Sequence, residues 1–115
     1  MDTVFHKIIR KELPAKIEYE DDDCIVIHDI SPKAPVHLLV IPKKDMPSIS
    51  HMTGEDQILI GKLVHVATEM AQKFEMSDAF RLVMNNGERS GQEVMQLHIH
   101  VLGGWKSHPK SELAL

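Results

Sequence analysis

The sequence predicts an α+β domain on a mainly antiparallel sheet, and three features carry that expectation. Strand-like segments come in runs joined by short connections, at 17–20, 24–29 and 36–41 and again at 79–87 and from 93 to 105. They do not alternate one by one with helices, as a parallel sheet would require. Between the two runs, residues 54–76 switch from a period of two to the helical period. At 115 residues, 43% hydrophobic and 26% charged, the chain has the size and composition of one globular domain, taken as 1–115 with a C-terminal tail from about 105.

The elements follow in order. "TVFHKIIRKELP" spaces Val4, Phe5, Ile8 and Ile9 as one face of a short helix, with Thr3 as N-cap and Pro14 beyond its end. "KIEYEDDDCIVIHDI" gives two strands around an Asp-Asp-Asp turn, and the near-continuous apolar run at 24–27 suits a central strand. "VHLLVI" is a third strand between Pro35 and Pro42, placed where a residue without an N–H is tolerated. Leu59, Leu63, Val66, Ala67, Met70 and Phe74 form one apolar stripe of the long helix. "AFRLVM" returns to strand and stops at Asn-Asn-Gly, and "EVMQLHIHVLGGW" reads as the fifth strand. One long helix covers one sheet face, so the other face must be polar, bind something or meet a second subunit.

Several classes are excluded. A net charge of −4, with "PKK" at 42–44 too short to form a basic patch, argues against nucleic acid as partner. No apolar run approaches the roughly 18 residues a membrane span needs. Cys24 is the single cysteine, so no intrachain disulfide forms. With no hydrophobic N-terminal signal segment, the expected location is the reducing cytoplasm.

The chemistry concentrates in the last strand. Side chains of i and i+2 share a face, so Gln96, His98 and His100 form a polar stripe opposite Leu97, Ile99 and Val101. Four readings of the stripe stand at this point. Both histidines are structural, each satisfied by hydrogen bonds inside the fold. Alternatively they clip a metal with His37 as third ligand. In the third reading one imidazole attacks phosphorus and its neighbour handles the phosphoryl oxygens or the leaving group. In the fourth the stripe only grips a phosphate. Upstream, Gly87, Ser90, Gly91 and Gln92 form a donor-rich loop of the kind that makes an anion nest. Asp29 ends a strand, where a carboxylate either caps a turn or accepts the hydroxyls of a ribose.

"DISPKAPVHLLVIPKK", followed downstream by "NNGERSGQEVMQLHIHVLGG", resembles the histidine triad (HIT) superfamily, and most closely its nucleotide-binding branch; "FHKIIRKELPAKIEYEDD" extends the likeness to residues 3–104. The resemblance implies a HIT-like antiparallel five-stranded sheet with one long and one short helix. It also implies a homodimer joined through the long helix and the following strand into a ten-stranded sheet. The activity it implies is hydrolysis of purine nucleoside phosphoramidates, chiefly adenosine monophosphate joined to an amine, with no cofactor or metal required. Carried onto this chain, His98 is the nucleophile on the α-phosphorus and His100 contacts the phosphate and leaving group. His37 matches a further histidine on the leaving-group side. Asp29 matches the ribose carboxylate, Asn85 the phosphate pocket, and Gly91, Gln92, Glu93 and Val94 the loop around the phosphate. Phe5, Ile8 and Ile27 are the candidate base-facing wall. The tail, with Trp105, is a candidate to reach the partner's site.

The departure is Gln96, which stands where the first triad histidine belongs and joins His98, His100 and His37 in the candidate catalytic set. Gln donates and accepts, and so can hold the nucleophile's neighbourhood in place, but it does not titrate. The expectation is reduced or altered activity, by up to about 10²–10⁴ if acid–base cooperation needs all three imidazoles. The alternative is a purine nucleotide-binding regulatory protein that keeps the pocket without the rate.

Overall fold

The computed structural model describes residues 2–109. Residues 110–115 of the expected tail lie outside the described residues. The elements are α1 (Val4–Ile9), β1 (Ile17–Glu20), β2 (Cys24–His28), β3 (Val36–Pro42), α2 (Gln57–Lys73), β4 (Phe80–Val83) and β5 (Ile99–Gly103). The five strands form one sheet in the order β1-β2-β3-β5-β4, antiparallel at each neighbouring pair. The predicted class and sheet are therefore present.

Local chemistry explains the boundaries. Thr3 caps α1 by accepting the His6 N–H, while His6 Nδ1 accepts the Thr3 N–H at 3.1 Å. This is a capping box with an imidazole where a carboxylate usually sits. The Asp-Asp-Asp turn closes on Asp21 Oδ1, which accepts from the N–H groups of Asp23 (2.8 Å) and Cys24 (3.0 Å). α2 starts at Gln57, after a single 3-10 turn at Gly54–Asp56 in which Asp56 accepts the Thr53 N–H. Its buried face is Leu63, Val66, Ala67 and Met70 of the predicted stripe together with Ala71, with Leu59 and Phe74 of that stripe packed at the margins.

Strand alternation sorts the core onto two faces. Cys24, Val26, Leu38, Val40, Ile99 and Val101 point to α2 and its cluster. Ile25, Ile27, Leu39 and Ile41 point the other way and pack on Phe5 and Ile8 of α1. The second face is thus partly roofed by the short helix. Register then aligns Ile27 opposite Leu39 and Leu39 opposite His100, so an apolar wall and an imidazole share one row across three strands.

Two expected boundaries are corrected. β4 ends at Val83, and β5 begins at Ile99, well inside the run from 93. Before Ile99 the chain leaves the ladder, because the Leu97 N–H bonds the Met46 carbonyl (2.7 Å) in the loop after β3. Gln96 and His98 are therefore not strand neighbours of His100.

Candidate active site

A cavity of about 470 Å³ opens on the α1 face of the sheet. Eleven of the thirteen candidate residues line it: Phe5, Ile8, Ile27, Asp29, His37, Asn85, Gly91, Glu93, Val94, His98 and His100. The side chains of Gln92 and Gln96 are buried outside it. The rings are ordered along the wall. Phe5 meets His98 edge-on at 5.0 Å, His98 meets His100 at 5.0 Å, and His100 meets His37 at 5.1 Å.

Hydrogen bonds assign the protons on these rings. His98 Nδ1 lies 2.8 Å from the Gln96 carbonyl, which can only accept, so Nδ1 carries the hydrogen. The neutral ring then has its lone pair on Nε2. His37 Nδ1 accepts the Lys33 N–H at 3.0 Å, so the His37 proton sits on Nε2. That Nε2–H donates to His100 Nδ1 at 2.8 Å, which leaves His100 with its hydrogen on Nε2. One cavity histidine thus offers a lone pair and its neighbour offers a proton.

Burial keeps the rings neutral. It pushes His98 and His37 below the usual histidine range, and pushes His100 down to about 4 with added repulsion from His98 and His37. Asp29 Oδ1 accepts the Ser31 N–H (2.7 Å), and Oδ2 lies 3.5 Å from His37 Nε2. Asp29, His37 and His100 bring possible ligand atoms within 4.8 Å of one another, the spacing a metal uses. The Lys33 amide opposes that use, because it leaves His37 Nε2 protonated and donating. Binding a metal there would need an imidazolate or the loss of that amide bond.

Gln96 holds the nucleophile's neighbourhood in place, as its donor and acceptor groups allow, from outside the cavity wall. Wholly buried, it accepts the Met46 N–H at 3.0 Å and donates to the carbonyls of Pro42 (3.0 Å) and Lys44 (2.8 Å). It clips the chain after β3 to the segment before β5 and fixes the peptide whose carbonyl holds His98. A neutral imidazole has one donor and one acceptor and can satisfy only two of these three groups. Gln92 is a second clip: it accepts the Gly87 N–H and donates to Pro47 and Val94 carbonyls. Within this loop the amides of Ser90, Gly91 and Gln92 bond the carbonyls of Gly87 and Glu88. They are therefore not the anion nest the composition suggested. Gly91 has φ +103°, a conformation that L side chains rarely adopt.

Sequence reasoning missed other parts of the wall. Leu39 lies two residues from His37 on the same strand face, and alternation alone could have found it. Ile30 stands 98% exposed at the mouth beside Asp29, and Lys33 holds His37 through its backbone. No residue pattern announces either role.

Comparisons with known proteins identify the family and the fold. The family model described as HIT domain matches residues 10–107. An uncharacterized HIT-like protein of Synechocystis is 53% identical over 103 residues, 90% of each chain. The crystal structure of a HIT family hydrolase from Legionella pneumophila superposes with a TM-score of 0.89 at 38% identity, covering 91% of this chain and 95% of that one. A HIT family hydrolase from Clostridium thermocellum gives the same TM-score and identity over 95% and 96%.

Two outcomes follow from the hydrogen bonds and burial. Gln96→His leaves one buried group unmet and lowers stability by about 1–3 kcal/mol in urea unfolding, with no gain in activity. The depressed histidine pKa values mean that the unfolded chain takes up protons below about pH 6.5 that the folded chain refuses. The histidine contribution to stability therefore falls as pH drops from about 6.5 toward the folded His100 value near 4. Below that, the paired carboxylates Glu18, Glu20 and Asp21, held below their usual range, carry the further loss. Denaturant midpoints measured across that window check the sign, and His100→Gln flattens the slope.

Proposed function

The chain belongs to the HIT domain family, and on that premise we propose that it is a purine nucleoside phosphoramidase of the histidine triad nucleotide-binding branch. It hydrolyses phosphoramidates of the AMP–amine type through a nucleotidyl-His98 intermediate. The observation that carries this reading is the His98 ring, held at Nδ1 by the Gln96 carbonyl with its Nε2 lone pair toward a cavity that has one apolar end. A purine lies against Phe5, Ile8 and Ile27, and Asp29 takes the ribose hydroxyls. Nε2 attacks the α-phosphorus, the P–N bond to the amine breaks, and the amine leaves with a proton from solvent. His100 Nε2–H donates to a phosphoryl oxygen whose charge grows in the transition state. Water then hydrolyses the intermediate. The attack on phosphorus uses an imidazole nucleophile, and the reaction needs no metal or other cofactor.

Gln96 favours turnover over simple binding, since it supports the nucleophile's peptide and takes no place in the cavity. The working environment is the cytoplasm, which suits the buried, unreactive Cys24 thiol, pushed up to about 12 by burial. The assembly is a homodimer. β4 is an edge strand, and Leu82 on it with Ile58 and Val64 on α2 are large apolar side chains left exposed. A second copy meeting the same elements covers them with twofold symmetry.

Amine release from an adenosine phosphoramidate, with chelator present, tests the reaction. Wild type turns over many equivalents, and His98→Ala falls to the uncatalysed background; near-normal turnover by that variant would sink the mechanism. Sedimentation equilibrium reads the assembly: twice the chain mass is expected, with Leu82→Glu shifting it toward one.

A further inference from the structure

We propose that Glu93 is the general base that activates water in the second half of the reaction, hydrolysis of the nucleotidyl-His98 intermediate. The inference rests on the phosphoramidase reading and deepens it.

A base needs a free lone pair inside the cavity once His98 Nε2 is bonded to phosphorus. His100 has given its Nδ1 lone pair to His37, so its other nitrogen carries a hydrogen and can only donate. His37 has given Nδ1 to the Lys33 amide. The His28 ring turns with Val26 to the α2 side, edge-on to Phe74 at 5.9 Å and 2.7 Å from Glu18. Lys33 is a cation with no acceptor. Asp29 engages Oδ1 with the Ser31 N–H and faces His37 with Oδ2.

Glu93 is the remaining titratable group on the wall. It lines the cavity with Val94 and His98, and among the described residues its carboxylate is engaged by no hydrogen bond or ion pair. Its negative charge is felt at His98. The backbone on either side of it is fixed, because Gln92 Nε2 bonds the Val94 carbonyl at 3.0 Å and the Pro47 carbonyl at 2.7 Å. The chain thus clamps this position and leaves the side chain without a structural task.

The water oxygen bonds to phosphorus while the P–Nε2 bond of His98 breaks. That electron pair returns to Nε2 as its lone pair, and Nδ1 keeps its hydrogen on Gln96. The water proton passes to the Glu93 carboxylate and from there to bulk solvent. The nucleoside monophosphate leaves, and the site is restored.

Rapid mixing of the full chain with an adenosine phosphoramidate tests this, with amine release and intact protein mass read together. In Glu93→Gln, one equivalent of amine per site appears in a burst. The nucleotidyl adduct then accumulates, and steady-state kcat falls about 10²–10⁴-fold, the range for one acid–base group. Formate added to Glu93→Ala restores part of the second phase, and Glu93→Asp retains an intermediate rate. Circular dichroism matching wild type excludes misfolding as the cause. The proposal is overturned if Glu93→Gln keeps kcat within a factor of a few, or slows amine release without accumulating adduct. If wild type itself releases no amine and forms no adduct, the phosphoramidase reading falls, and this step with it.

Discussion

The hydrogen bond from His98 Nδ1 to the Gln96 carbonyl decides which imidazole nitrogen faces the cavity, and the rest of the site is arranged around that choice. A carbonyl oxygen cannot donate, so the ring has no alternative tautomer without losing the bond. The carbonyl is free to accept because residues 96–98 have left the sheet ladder, with Leu97 bonded to Met46 in the loop after β3. Gln96 holds that departure in place through three buried bonds. A loop clip far down the hydrogen-bond order thus sets the direction of a reactive lone pair.

The second histidine is set from the opposite side. A backbone amide at Lys33 starts a one-way series of donors that runs through His37 and ends at the outward N–H of His100. Each ring accepts on one nitrogen and donates on the other, so an extra proton has nowhere to go without breaking a bond. Burial acts in the same direction by disfavouring charge. Two chemically identical side chains, with ring centres 5.0 Å apart, therefore present opposite hydrogen-bonding faces. Uncharged acceptor and donor groups coexist there at neutral pH.

Packing gives this pair its apolar neighbour. Pairing of β2, β3 and β5 puts Ile27, Leu39 and His100 in one row, and the six residues of α1 lay Phe5 and Ile8 over the Ile27 end. The long helix on the other face makes no contribution to the cavity wall. Its part is to bury one side of the sheet, so that β3 and β5 hold their register while the other side stays open.

Much of this was legible in the sequence. Periodicity placed α1, the three early strands and the buried stripe of α2, because each periodicity is dictated by local geometry and by which side must be dry. The resemblance located eleven of the cavity's residues, since motif positions are carried by order along the chain. The two glutamines of the candidate set lie outside the cavity wall and hold the chain behind it. Strand alternation extended to 96 puts Gln96 beside the histidines, whereas the Leu97–Met46 bond turns it into the interior. The loop amides of Ser90, Gly91 and Gln92 looked like an anion nest and instead close their own turn. What the sequence by itself determined was the set of reactive groups and the elements that carry them. Only the tertiary structure decided which nitrogen of each histidine carries the proton, because the deciding partners are backbone groups at Lys33 and Gln96. Every residue has those groups, so no residue identity reveals where the fold will aim them.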